Sequence, residues 1–139
     1  MLNLPVSDIM NDHPIKVRAD VSIRNVAHLL MRYRINGILV VSPEDPEELR
    51  GVFTTADLLA IINEAMACGA QKIQALNTVA DHPVSEFLDD GYARLQQRDT
   101  AAKAIGLMHK KDSLTIPVYD GKKLVGVIGR HDIINIAFA

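Results

Sequence analysis

The sequence predicts an α/β protein of two β-α-β-β-α repeats, packed through their sheets with pseudo-twofold symmetry. Three observations predict it. Val6-Ser7-Asp8-Ile9-Met10 returns as Val84-Ser85-Glu86-Phe87-Leu88, and Gly51-Val52-Phe53-Thr54-Thr55-Ala56-Asp57-Leu58-Leu59 returns as Gly126-Val127-Ile128-Gly129-Arg130-His131-Asp132-Ile133-Ile134. The copies are offset by 78 residues at the front and 75 at the back, too long for a solenoid repeat and right for a small folding unit duplicated in tandem. Each copy also runs through strand-like and helix-like apolar patterns in the same order. A unit of about 60 residues is marginal alone and has too few strands to cover its own sheet, so the two copies are expected to share a core. A cleft between such halves is a preferred place for a small ligand.

In the first copy, residues 15–17 follow Pro14 and read as a short extended piece, because proline biases its neighbour away from helix and β-branched residues flank Lys16. A helix is expected next, capped by Asp20, with Val26, Leu29, Leu30 and Tyr33 on one face at helical spacing. Asn36-Gly37 breaks it. Ile38-Leu39-Val40-Val41 is a continuous apolar run and so a buried strand; the polar stretch 42–48 leads to a second strand at 50–53. A second helix opens near Thr54 or Thr55, its apolar positions Leu58, Leu59, Ile62 and Met66 again keeping helical spacing, and the pattern fades at Cys68-Gly69.

The second copy repeats this order: an extended piece at 92–95, a helix capped by Asp99 with Ala101, Ala104, Ile105 and Met108 inward, then strand, turn, strand and helix. Asp120-Gly121 predicts a tight two-residue hairpin of type I′ in place of the longer 42–49 connection. Residues 1–68 thus form the first repeat, 69–83 a linker with a helical stretch at 72–76, and 84–139 the second repeat.

The chain of 139 residues carries a net charge of −2, with 48% hydrophobic and 23% charged residues. That composition reads as globular, and no apolar run approaches the roughly 20 residues of a membrane span. Without a basic block, nucleic acid and anionic membrane are not expected partners. The opening Met1-Leu2-Asn3-Leu4-Pro5 lacks the pattern of a secretory signal, and the single Cys68 permits no internal disulfide, so a cytoplasmic location is expected.

These residues resemble a known family. The opening Val6-Ser7-Asp8-Ile9-Met10, the segment 51–59, Ile116-Pro117-Val118 and the segment 126–134 are, in their order, spacing and repetition, similar to the tandem cystathionine-β-synthase-type (CBS) domain pair, or Bateman module. The resemblance covers nearly the whole chain. It implies a regulatory module rather than an enzyme, an adenosyl ligand such as AMP, ADP, ATP or S-adenosylmethionine between the two units, no required cofactor, and a homodimer shaped as a flat disc.

Read without the family, Thr54-Thr55-Ala56-Asp57 is a capping box, the Thr54 hydroxyl accepting from the backbone at Asp57 and the acid lying in the first turn. The same geometry serves a ligand, because a helix N-terminus attracts phosphate and an acid one turn in accepts from two vicinal ribose hydroxyls. The resemblance matches Thr54 to the phosphate-side hydroxyl and Asp57 to the ribose carboxylate. In the second copy Asp132 is retained, but Gly129 replaces the hydroxyl residue, leaving Arg130 or His131 to meet a phosphate or simply to begin a solvated helix. The first cleft is therefore expected to bind phosphorylated ligands more tightly. By the same resemblance, Ile15, Lys16 and Ile38 in the first copy, and Ala93, Arg94, Ile116 and Pro117 in the second, match the adenine slot, with ordinary core the competing reading. With no Trp and six other aromatics, base stacking is expected to fall mostly to aliphatic side chains.

The five histidines lack metal-ligand spacing, the acidic stretch 44–48 lacks the register of a calcium loop, and Cys68 stands without a neighbouring His. No catalytic residue or metal site is predicted. Two functional readings remain open: a module that binds an adenosyl ligand and signals to an effector protein, and a scaffolding dimer whose clefts hold no nucleotide.

Overall fold

A computed structural model describes residues 2–111 and 114–139. Its elements run β1 (Lys16–Arg18), α1 (Ile23–Tyr33), β2 (Gly37–Val41), β3 (Leu49–Thr54), α2 (Thr55–Met66), α3 (Lys72–Ala80), β4 (Leu95–Gln96), α4 (Ala101–Lys111), β5 (Thr115–Asp120), β6 (Lys123–Gly129) and α5 (Arg130–Ala137), with 3-10 turns at Val6–Asp8, Gly69–Gln71 and Val84–Phe87. Each copy is the expected β-α-β-β-α, forming a three-stranded sheet of order β1-β2-β3 or β4-β5-β6. The first pair in each sheet is parallel and the second antiparallel.

The sheets meet through β2, β3 and β5. Every residue of β2 is buried, Ile38 and Val40 under helices α1 and α2 and the alternate residues on the opposite face of the pleat. The approach is close. A Cβ on Gly37 would stand 2.6 Å from the Thr115 hydroxyl oxygen, so only glycine fits where β2 crosses β5.

Local chemistry moves several expected features by a residue or two. Helix α1 is capped by Ser22, whose hydroxyl accepts from Asn25 N, because Asp20 is drawn into an ion pair with Arg18 at 2.7 Å. Thr100 takes the place of Asp99, accepting from Lys103 N, while Asp99 accepts from Gln96 N and Lys103 Nζ. The β5–β6 hairpin has Gly121 and Lys122 as its central residues, with positive φ at Gly121 alone; this is the type II′ arrangement, not I′. The linker helix is longer than 72–76 and packs on α2 and α1.

Packing decides which apolar stripes face inward, and it corrects Ile105, expected inward on α4. Ile61 and Ala65 turn inward on α2, with Leu58 packed beside them, while Leu59 (66% exposed), Ile62 and Met66 face outward. Tyr33 and Ile105 are likewise exposed, and Ile23, Val26 and Leu30 form the buried face of α1. On α2 apolar residues line two adjacent stripes, so periodicity alone does not say which is inward.

The repeats exchange their opening segments. Val6, from the first repeat, is 0% exposed and belongs to the core of the second sheet, whereas Val84, from the second, is 0% exposed in the core of the first. Backbone bonds fix both: Val6 N donates to Asp99 O at 2.7 Å and Ser7 N to Gln97 O at 3.0 Å, while Val84 N donates to Val21 O at 2.8 Å and Ser85 N to Ala19 O at 3.0 Å. Asn11 and Val127 exchange both N–H···O bonds, which lays Met10 over Gly126, where a Cβ would stand 2.7 Å from the Met10 sulfur. The repeated glycine of the sequence is thus the place where the other repeat's opening segment crosses.

Candidate functional site

The pseudo-twofold axis leaves two clefts with a common floor of Asn36, Leu114 and Thr115. Each begins where a strand hands over to a helix. Thr55 N donates to Asn36 O at 2.8 Å, and at the matching place Arg130 N donates to Leu114 O at 3.2 Å. These bonds tie the starts of α2 and α5 to the residues that open β2 and β5 of their own repeats, and the facing walls come from segments of the other repeat.

The first cleft, of about 390 Å³, brings Thr54, Thr55 and Asp57 of the first repeat to Asp89, Tyr92 and Ala93 of the second. Asp57 Oδ2 accepts from Thr54 N at 2.8 Å and from the Thr54 hydroxyl at 3.0 Å, and Asp57 N donates back to that hydroxyl at 3.2 Å. The capping box is complete. Asp57 Oδ1 has no hydrogen bond among the described residues, which leaves one carboxylate oxygen for a ligand diol.

The second cleft, of about 200 Å³, joins Gly129, Arg130, His131 and Asp132 to Asn11 and Arg34. Asp132 Oδ2 accepts from Gly129 N at 2.7 Å, keeping the acid half of the box without the hydroxyl. A Cβ at Gly129 would meet nothing nearer than 3.6 Å, so space does not demand glycine there. With its amide turned to present oxygen, Asn36 accepts from Arg130 Nε at 3.1 Å and Nη2 at 3.3 Å.

Of the sequence-derived residues, Thr54, Asp57 and Ala93 meet in the first cleft, and Arg130, His131 and Asp132 in the second. The start of α2 therefore faces the second repeat's extended piece, whereas the start of α5 faces Asn11 and Arg34 rather than residues 15–17. Ile38 (1% exposed) and Ile116 (0% exposed) belong to the two cores, and Pro117 is buried in β5. Ile15 packs on the first core, and Lys16 and Arg94 are exposed beside it and its counterpart. Sequence reasoning missed Tyr92, Asp89, Asn36, Thr115 and Arg34. Tyr92 supplies an aromatic wall where aliphatic stacking was expected; its hydroxyl lies 3.5 Å from that of Tyr119, and the Arg94 guanidinium carbon sits 4.4 Å from its ring centre. Burial, and then the bond to Tyr92, push the Tyr119 phenol well above its ordinary value, and the neighbouring Tyr92 raises Arg94.

A separate hollow of about 390 Å³ along α3 is walled by Cys68, Gln74, Thr78, Val79 and His82. It touches no strand-to-helix turn and does not join the two sheets. Among the described residues no three His, Cys, Asp or Glu side chains group as metal ligands, and no helix is long and apolar enough to cross a membrane.

This architecture, two exchanged α/β repeats with paired clefts at their helix starts, defines a tandem-repeat α/β module. The chain belongs to the CBS domain family, whose model matches residues 6–64 and 84–138. It is 28% identical over 135 residues, 94% of its length, to a homoserine O-acetyltransferase of Methanosalsum zhilinae, and 26% identical over 96% of its length to the arabinose 5-phosphate isomerase KdsD of Yersinia pestis. It spans only 23% and 38% of those relatives. Among solved structures it resembles a CBS-domain-containing protein of Agrobacterium tumefaciens (TM-score 0.79, 21% identity, covering 99% of this chain and 96% of that one). CBSX2, solved in complex with AMP, matches with TM-score 0.75 at 21% identity over 96% and 95% of the two chains. The CBS domain pair of MJ0100, solved with 5′-methylthioadenosine and S-adenosyl-L-methionine, matches with TM-score 0.73 at 21% identity over 96% and 95%.

Proposed function

We propose that this chain is a non-catalytic regulatory module that binds an adenosyl compound in the clefts between its repeats and passes that occupancy to an effector protein. On this reading residues 1–68 and 84–139 are the working repeats and 69–83 the linker. Asp57 and Asp132 accept from the ribose diol, Thr54 and the start of α2 frame one cleft, and Arg130 and His131 frame the other. Ala93 and Tyr92 bound the base, while Ile15, Lys16, Ile38, Arg94, Ile116 and Pro117 shape the strands behind it.

One observation carries the reading: each cleft takes one wall from each repeat. A ligand touching both walls favours one relative orientation of the halves, and its differential affinity sets the largest shift it can cause. The AMP, methylthioadenosine and S-adenosylmethionine complexes of the structural neighbours support the ligand class. The outward apolar stripe Leu59, Ile62 and Met66, with Ile134 and Phe138 exposed on α5 and just after it, supports burial against a second copy as a homodimer.

A thermal-shift panel of adenosine phosphates, S-adenosylmethionine, 5′-methylthioadenosine and NAD tests the reading. A ligand at 100 times its dissociation constant stabilises by about 2.7 kcal/mol, several degrees for a domain of this size. Asp57→Ala should lose the first cleft's share of that shift, beyond the roughly 1 kcal/mol that loss of the capping box costs without ligand. No shift with any member of the panel would favour a scaffolding dimer instead.

A further inference from the structure

We infer that the two clefts select ligands of opposite charge: the first takes an uncharged or cationic adenosyl compound, and the second takes the phosphate-bearing one. The inference rests on the adenosyl reading and reverses the ranking that Thr54 suggested from sequence.

The register of the duplication makes the contrast legible. Asn11 is the counterpart of Asp89, and Arg130 the counterpart of Thr55. At the first of these positions the first cleft has a carboxylate where the second has a neutral amide; at the other, the first has a hydroxyl where the second has a guanidinium. Arg34, from the C-terminal end of α1, adds a second guanidinium to the second cleft. Among the described residues, the first cleft is thus walled by Asp57 and Asp89 with no lysine or arginine, and the second by Arg34 and Arg130 against the single acid Asp132. Arg94, next in the chain to Ala93 of the first cleft, is engaged by the Tyr92 ring, its guanidinium carbon 4.4 Å from the ring centre.

Two details strengthen the contrast. The Thr54 hydroxyl both donates to Asp57 and accepts from its backbone, so it is already used within the capping box. A phosphate there would face two carboxylates with no side-chain cation among the described lining residues to offset them. In the second cleft, Arg34 is the one non-glycine residue among those described with positive φ, at 52°. Its N–H donates to Met31 O at 3.3 Å while Ile35 N donates to Leu30 O at 3.1 Å, the helix-ending arrangement that ordinarily selects glycine. An arginine held in that conformation at a cleft wall is strain located at a functional position. The smaller volume of the second cleft, about 200 Å³, suits it to the phosphate end of a ligand, with the exposed Arg34 and Arg130 swinging to admit the rest.

Calorimetric titration of the full chain with AMP and with S-adenosylmethionine tests this. Arg130→Thr places the first repeat's own residue in the second, and Arg34→Gly removes the charge while relieving the backbone. Each should weaken AMP by about tenfold or more, as loss of a charge-assisted bond to phosphate does, and leave S-adenosylmethionine within about twofold. Asp89→Asn should do the reverse. With the unaltered chain, AMP affinity should fall as sodium chloride rises from about 0.05 to about 0.5 M. AMP binding indifferent to both arginine variants and to salt, or S-adenosylmethionine weakened as much as AMP, overturns the charge assignment and leaves the adenosyl reading standing. Failure of both compounds to bind the unaltered chain overturns the two together.

Discussion

Removing two carbons from Val6 should damage the half of the molecule to which Val6 does not belong in sequence. Val6 is fully buried in the second sheet's core, so Val6→Ala loses about 1.6 kcal/mol of transfer free energy at about 0.8 kcal/mol per buried carbon. The two N–H···O bonds anchoring the segment to Asp99 and Gln97 limit its collapse into the space, and a cavity contribution brings the loss to about 2–3 kcal/mol. At roughly 3 °C per kcal/mol for a chain of this size, the melting temperature should fall by about 6–9 °C. The location of the damage is the sharper readout. Native-state hydrogen exchange should quicken first at the β4–β5 and β5–β6 bonds, and Val84→Ala should quicken β1–β3 instead. Val6→Ala acting first on β1–β3 would refute the exchange of opening segments.

Glycine substitutions should split by sign: Gly126→Ala, whose Cβ would stand 2.8 Å from the doubly bonded Asn11 backbone, should cost about 1–3 kcal/mol, whereas Gly106→Ala, with open space within helix α4, should gain about 0.5–1 kcal/mol in urea melts. Leu59→Glu should convert a dimer of two 15.3 kDa chains to monomer in light scattering without lowering the monomer's helix content, since Leu59 makes up none of the chain's own core; a wild-type monomer at micromolar concentration would contradict the dimer. The Tyr119 phenol is held protonated above its unfolded value, so the folded state binds the extra proton and stability should decline as pH rises beyond about 10, the unfolded tyrosine value. Tyr119→Phe should remove part of that decline, and an unchanged alkaline slope would count against it.

The repeat, the order of elements and the helix starts were legible because each depends on local chemistry: β-branched runs, capping residues and turn glycines. Ser22 and Thr100 displaced Asp20 and Asp99 as caps because each aspartate has a nearby cation, a competition settled by side-chain geometry. The inward face of α2 was not legible because Leu59, Ile62 and Met66 keep helical spacing as well as Ile61 and Ala65 do; only the position of the sheet distinguishes them. The cleft walls were half legible. Thr54, Asp57, Arg130 and Asp132 carry a motif, whereas Asp89, Tyr92 and Arg34 lie in segments whose role follows from the crossing of one repeat over the other. Nothing local marks an exchanged segment, since Val6 and Val84 would be equally apolar packed against either core.

The most direct test of the cross-repeat cleft is a nitrogen-15 NMR titration with 5′-methylthioadenosine, which carries the adenosyl group without a phosphate. Backbone amides of Thr54, Thr55 and Asp57 in the first repeat and of Gly91, Tyr92 and Ala93 in the second should shift together along one saturating curve, because one ligand touches both walls. Shifts confined to a single repeat, or centred on the hollow along α3, would contradict the account.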